Sequence, residues 1–244
     1  MKDRQTSPRA LRAAFAALAF ALFASTAAAQ LRAPAPGGSG LRLPGAGSEA
    51  PAGDAARPAP ASGGAAQGGA IREIDRVVAA HRPESPSRVV MKLNSLIDGP
   101  VIQAIYRASQ AGVPVDLIVR GIAGLRPGIP GVSENVRVIS IVGRFLEHAR
   151  VFAFTADGET RYYIGSADMM ARNLDNRVEL VTPIDDPIAT REIQAVLDLQ
   201  LADTALGWEL GPDGEWAHRV TPAGEEPVNS QEALMARAAQ AGRG

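Results

Sequence analysis

Three consecutive segments decide the fold class: Arg88-Val89-Val90-Met91-Lys92-Leu93, then Asp98-Gly99-Pro100-Val101, then Val113-Pro114-Val115-Asp116-Leu117-Ile118-Val119. The first is a β-branched apolar run of the kind buried strands use. Asp98-Gly99-Pro100 opens a helix, with proline in the first turn, where a missing N–H leaves no bond unmade. Val101, Ile102, Ile105 and Tyr106 share one face of it, and Gly112 ends it. Residues 113–119 form a second strand, because Pro114 opposes a helix there. Strand, helix and strand within about thirty residues make a βαβ unit and predict a parallel pair.

The pattern extends in both directions. Upstream, Ile71, Ile74, Val77 and Val78 recur at helical spacing until His81-Arg82-Pro83 stops the helix. Downstream, 121–130 is a Gly- and Pro-rich loop and 136–142 a strand. A hairpin pairs 151–154 with 161–164 around Asp157-Gly158. A strand is expected at 178–182, an amphipathic helix at 187–202, and a terminal hairpin from 208–210 and 216–220. Ser230 is placed to cap a last helix over 232–239. The fold class is α/β, with a mixed β-sheet flanked by helices.

Before Ile71 the chain changes character. Lys2, Arg4, Arg9 and Arg12 precede an uncharged apolar run over 13–24, and Ala27-Ala28-Ala29 stands before Gln30. That is the layout of a secretory signal, too short for a comfortable membrane span. Residues 30–70 are rich in Ala, Pro and Gly and carry almost no large side chains, which predicts a disordered linker. The organisation read from the chain is therefore a signal peptide over 1–29, a linker over 30–70 and one domain over 71–244.

Composition narrows the chemistry. Among 244 residues, 46% are apolar, so a core is available, while 25 Gly and 18 Pro match the unfolded segment. The absence of cysteine excludes disulfides, thiolate metal sites and Cys nucleophiles. With three histidines (His81, His148, His218) a poly-His metal cage is excluded, and no metal site is expected. The net charge of −1 excludes a polycation that coats nucleic acid.

Candidate chemistry concentrates between Arg120 and Arg177. Arg120 ends the second strand at its carboxyl edge, where open α/β sheets hold ligands. His148 is followed by Arg150, then by the hairpin and by Gly165-Ser166-Ala167-Asp168. This spacing resembles the phospholipase-D signature, in which an imidazole handles the phosphoryl group or proton and an adjacent cation holds phosphate oxygens. Arg150 stands for the lysine of that signature, Asp168 for its Asn and Thr155 for its Asp.

Longer blocks resemble bacterial polyphosphate kinase. They are Met91-Lys92-Leu93-Asn94-Ser95-Leu96, Tyr106-Arg107-Ala108-Ser109-Gln110-Ala111-Gly112, Asp116-Leu117-Ile118-Val119-Arg120-Gly121-Ile122 and Leu125-Arg126-Pro127-Gly128. Ser140-Ile141-Val142-Gly143-Arg144-Phe145-Leu146-Glu147-His148, Tyr163-Ile164-Gly165-Ser166-Ala167-Asp168, Arg172-Asn173-Leu174-Asp175 and residues 197–203 continue the match, which extends more weakly to Ser230-Gln231-Glu232-Ala233-Leu234 and covers 71–239 in all. The likeness is to the C-terminal catalytic domain alone, a phospholipase-D-like domain. It implies reversible transfer of the ATP γ-phosphate to inorganic polyphosphate through a phosphohistidine. It implies that Arg120 and His148 contact ATP, that Arg177 and Arg150 contact phosphate, and that His148 is the catalytic acid–base histidine. ATP, ADP and polyphosphate are the implied small partners. The phosphohistidine domain, and the residues for the family's Mg2+, are not matched by this chain; the implied partner is such a domain encoded separately, or a homo-oligomer. Met169, Ala171 and Asn176 depart from the residues the family usually carries.

Other readings stand beside these. His148 could be a core histidine; Arg120 and Arg177 could pair with Asp116, Asp175 or Glu179; Arg150 could be a surface charge. Ser166 and Asp168 read as caps of a helix start, and Lys92 and Asn94 either face the site or close a loop. His81 and His218 read as exposed. The second functional class is a secreted, non-catalytic module that binds polyphosphate or nucleotide, favoured by the signal-like N terminus; phospholipase or nuclease chemistry is a distant third. Exported, periplasmic placement is expected if the signal operates, and cytoplasmic or membrane-associated placement otherwise. Mass spectrometry of the protein from its native cell should then show a mature start near Gln30 in an exported fraction; an intact Met1 in the cytoplasm refutes the signal.

Overall fold

The computed structural model describes residues 63–241. The signal-like segment and the linker up to residue 62 lie outside the described residues. Helix α1 (Gly63–Ala80) begins ahead of Ile71, the expected boundary. Ala66 and Ala70 are buried and continue the stripe of Ile74 and Val77, so side chains that look like linker composition are core residues of a close-packed helix.

The βαβ unit forms as its sequence dictates: β1 (Arg88–Leu93), α2 (Gly99–Gln110) and β2 (Val115–Val119). Asp98 caps α2, accepting from the Val101 N–H at 3.0 Å, and Gln67 of α1 donates to both its carboxylate oxygens. The remaining elements are β3 (Val136–Ile141), β4 (Arg150–Ala156), β5 (Glu159–Gly165), α3 (Ala171–Asn176), β6 (Val181–Ile184), α4 (Pro187–Ala202), β7 (Gly207–Leu210), β8 (Trp216–His218) and α5 (Ser230–Ala241). One mixed sheet runs β6-β5-β4-β1-β2-β3-β7-β8. β1, β2 and β3 are parallel and the other pairings antiparallel. The β4–β5 turn is Asp157-Gly158, both residues at positive φ (52° and 78°), the conformation a two-residue hairpin needs.

The sheet is covered on both faces. Val89, Met91 and Leu93 pack with Ile74, Val77, Val101 and Ile105 of α1 and α2. Val90, Ile118 and Ile139 pack with Leu197 and Leu201 of α4 on the other face. Alternation along β1 puts Lys92 on the α4 side with Val90.

Three local expectations change. The strand expected at 178–182 is displaced to Val181–Ile184, because Glu179 is drawn inward to Ser166 and Asn173 while Val178 and Leu180 stay exposed. Ser166 and Asp168 do not cap a helix: α3 follows Met170 with no side-chain cap, Ser166 donates to Glu179, and Asp168 binds elsewhere. In α5, Ser230 is the first helical residue and Asn229 supplies the cap, accepting from Glu232 N–H at 3.2 Å.

Gly121 fixes the carboxyl edge of the sheet. Its N–H donates to Asn94 O at 2.8 Å, and a Cβ there would fall 2.8 Å from that same oxygen. Gly121→Ala is therefore expected to force the β1 and β2 ends apart and to cost about 1–3 kcal/mol in urea unfolding. A variant as stable as the parent would show that this approach is slack.

Candidate functional site

The register of the sheet assembles the site. Leu93 pairs with Val119, so Asn94 and Arg120 leave the parallel strands side by side. β4 is antiparallel to β1 with Lys92 opposite Val151, so its first residue, Arg150, starts at that same edge. His148 lies in the segment just before it, and Asp168 arrives from the loop after β5.

Asp168 ties these pieces together. Its Oδ1 accepts from the N–H groups of Asn94 (2.7 Å) and Ser95 (3.2 Å), and its Oδ2 from Asn94 Nδ2 at 3.3 Å. Arg150 grips it with two donors, Nη2 to Oδ2 at 2.8 Å and Nε to Oδ1 at 3.3 Å. Burial pushes the Asp168 pKa up, but Arg150 and the Asn94 donors outweigh it and hold the group below its ordinary 3.8.

Arg150 also fixes the histidine. Its Nη1 donates to His148 O at 2.9 Å and stands 3.0 Å from the ring Nδ1. A guanidinium only donates, so the nearer ring nitrogen accepts and the proton of the neutral ring is assigned to Nε2. Burial first, then the charges of Arg150 and Arg120, lower the His148 pKa below its ordinary 6.5, against the opposing pull of Asp168. The imidazole is neutral at pH 7. His148 is thus a half-buried ring held by an arginine, not a core histidine.

Arg120 is half-buried, and its Nε donates to Asn94 Oδ1 at 2.9 Å. It joins no ion pair among the described residues; Asp116, its expected partner, is taken by Arg88 and Arg137. Lys92 and Asn94 do belong to the site. Lys92 is buried and donates to Glu147 Oε2 at 2.8 Å, with 3% and 2% of the two side chains exposed. Desolvation lowers the Lys92 pKa, and Glu147 counters it. Arg150 is not a surface charge: Asp168 engages its Nε and Nη2.

Arg177 stands apart. It is exposed at the end of α3, and no hydrogen bond or ion pair joins it to the other site residues; Glu179, its expected partner, is bound by Ser166 and Asn173. The side chains of Asp175 and Asn176 lie outside the described residues. Met169 is fully buried in the apolar cluster with Phe152 and Leu96. His218 is exposed as expected; His81 accepts from the Ser87 N–H at 3.1 Å.

Glu147, Gln200 and Gln231 were not foreseen. Glu147 Oε2 also accepts from Gln200 Nε2 at 2.7 Å, and its Oε1 from Gln231 Nε2 at 2.9 Å. One signal was available: a lysine inside a run read as a buried strand requires a buried anion. Among the described residues no group of three or more His, Asp and Glu could hold a metal ion, and Asp168 and Glu147 are already paired with cations. The residues present do not fit a resident Mg2+. A surface cavity of about 390 Å3 is lined by Tyr106, Arg126 and Trp216 and by none of these residues.

The family model described as polyphosphate kinase C-terminal domain 2 matches residues 64–231. The chain belongs to that family. It is 52% identical over 170 residues to polyphosphate kinase 1 of Chlorobaculum tepidum, covering 70% of this chain and 24% of that protein. It is 50% identical over 167 residues to the polyphosphate kinase of Thermosynechococcus vestitus, covering 68% and 23%. The crystal structure of polyphosphate kinase from Porphyromonas gingivalis is similar with a TM-score of 0.66 and 37% identity, over 71% of this chain and 27% of that one. The chain spans about a quarter of the length of the curated relatives it matches. The matched stretch takes in α1 from residue 64 onward, in agreement with the early start of that helix.

In this polyphosphate kinase C-terminal domain, Asp168→Ala removes the acceptor of Arg150 and of two N–H groups. It is expected to cost about 3–5 kcal/mol in urea unfolding at pH 7. The folded pKa lies below 3.8, so this stability is present above pH 3.8 and is lost as pH falls through the folded value. A loss under 1 kcal/mol, or an unchanged acid limb in the variant, would contradict the clamp.

Proposed function

We propose that this domain holds phosphate oxygens of ATP and inorganic polyphosphate while a phosphoryl group passes between them, with the phosphorylated histidine supplied by sequence outside this stretch. The observation that carries the reading is the charge count at the sheet edge. Lys92 is neutralised by Glu147 and Arg150 by Asp168, whereas Arg120 is half-buried without an anion. A cation held partly out of water with only a neutral amide beside it favours an anionic ligand. Arg150 and Arg177 are the further phosphate contacts of this proposal.

His148 then acts as a proton donor. Its Nδ1 is occupied by Arg150, so the Nε2–H is the group that meets a phosphate oxygen. A phosphate bound there favours uptake of a second proton at Nδ1, with Arg150 Nη1 keeping its bond to His148 O; the imidazolium then yields its Nε2 proton to the leaving phosphate, returns to a neutral ring, and recovers that proton in the reverse direction. His81 is engaged by Ser87 at the other end of β1 and His218 lies on the terminal strand β8, bonded to none of these residues, which leaves His148 as the histidine of the site. No step assigned to these residues needs a metal they hold.

The reading includes a covering partner, the remainder of a polyphosphate kinase fold in the same or another polypeptide. Ile97, Ile122, Val142 and Leu146 follow β1, β2 and β3 or precede β4, and all are exposed. An apolar rim around a charged edge suits a surface that excludes water from the site once covered. Alone, the chain is expected to form no polyphosphate from ATP. Export of the chain remains part of the proposal through its signal-like N terminus.

Titrating inorganic polyphosphate into the full chain tests the binding. We expect a salt-sensitive Kd between micromolar and millimolar, weakened about tenfold by Arg120→Gln, which corresponds to about 1.4 kcal/mol. The His148 titration midpoint, below 6.5 in the free protein, is expected to rise on saturation because the bound anion favours the imidazolium. Equal affinity of the parent and Arg120→Gln would show that this edge is not the site.

A further inference from the structure

The segment between β3 and β4 carries His148 at its end and has no regular secondary structure over 142–149. Gln231 of α5 holds it with a three-way grip. Its Oε1 accepts from the Phe145 N–H at 3.0 Å, and its Nε2 donates to Phe145 O and to Glu147 Oε1, both at 2.9 Å. The peptide after Glu147 is that of His148. Gly143 shows how closely the amide is seated: a Cβ there would fall 2.6 Å from Gln231 Oε1 and 2.7 Å from Leu206 Cδ1.

Gln231 is itself fixed from below. Asp203, fully buried at the end of α4, accepts from Leu206 N–H at 2.7 Å and from Ser230 N–H at 2.8 Å, so it sets where α5 begins. Gln200 of α4 and Lys92 of β1 complete the grip on Glu147. Gln200 Oε1 and Ser230 Oγ are buried with no hydrogen-bond partner. A polar cluster with two orphaned atoms is a poor way to gain stability, since an apolar plug of equal volume holds a loop at least as firmly. What the hydrogen bonds add is direction: they set the backbone at Phe145 and Glu147, one peptide from the imidazole.

We propose that Gln231, with Glu147 and Lys92 as its buried counterparts, is a positioning residue that lets the C-terminal helix α5 set the placement of His148 and hence phosphate binding at the sheet edge. The binding part rests on the polyphosphate reading above; the placement part does not. In this arrangement α5 is part of the site through its grip on the segment before His148.

The test uses the full chain and two variants that disturb the same grip from opposite sides. Gln231→Leu removes all three bonds at nearly constant volume, and Gly143→Ala expels the amide while leaving Gln231 in the sequence. Arg237→Ala, which breaks an exposed ion pair between α5 and Glu192, is the control. NMR titration of the His148 ring and polyphosphate affinity are read together, with circular dichroism and urea unfolding confirming the fold. Both grip variants are expected to shift the His148 midpoint up towards that of a solvated histidine and to weaken polyphosphate about tenfold, with the control unchanged. If Gln231→Leu does not fold, Gly143→Ala carries the test. A folded grip variant with the parent's His148 midpoint and affinity overturns the proposal. If the parent binds no polyphosphate, the functional reading fails separately, and the His148 midpoint still decides the placement.

Discussion

The edge of this sheet depends on one carboxylate. Asp168 is contributed by the loop after β5, yet its oxygens are filled by the end of β1 and by the first residue of β4. Through Arg150 the same group reaches the backbone and ring of His148. Three separate chain segments are therefore indexed to one anion. Because the carboxylate is mostly buried, each donor meets it in a medium where charge-assisted bonds are strong and an unmet donor is costly. A second buried pair, Lys92 with Glu147, works beneath it on the α4 side of the sheet. The two pairs cancel two cations and leave Arg120 over, so the edge is electropositive without a self-repelling cluster.

Much of this fold was legible because local signals agreed with the tertiary outcome. Asp98 and Pro100 start α2 as a cap and a first-turn proline should, and Asp157-Gly158 makes the hairpin turn. Legibility failed where small or polar residues took core roles. Ala66 and Ala70 lie under α1 in what composition marks as linker, because a helix packed close to a sheet needs small side chains. Around Val178 and Leu180 the apolar run pointed to a strand, but buried Glu179 turns that stretch inward and leaves both neighbours in solvent. A period-two pattern cannot report a carboxylate that is satisfied from a distant loop.

The site shows the same division. Arg120, His148 and Arg150 were readable, since a strand end and a short motif place them. Arg177 was named by resemblance and joins none of them by a hydrogen bond or ion pair. Glu147, Gln200 and Gln231 were invisible as site residues, because their meeting depends on α4 and α5 returning to the strand that carries Lys92. Nothing local to residue 231 distinguishes a buried structural amide from any other glutamine near a helix start. The lone lysine within a β-branched run was the one usable clue, and it called for an anion without saying which.

The protonation state of His148 follows from who its neighbours are. A histidine whose ring nitrogen meets a carboxylate gains basicity and carries charge; here the ring meets a guanidinium, and the carboxylate stands behind that guanidinium. The consequence is a neutral ring with a defined tautomer, poised beside two positive charges that oppose a third. On the proposed reading, an arriving phosphate offsets the charges of Arg120 and Arg150 and favours a proton on the imidazole. A phosphate against the ring then makes it a competent proton carrier once Arg150 Nη1 yields Nδ1, and that exchange moves side-chain atoms while the Arg150 bond to His148 O stays in place.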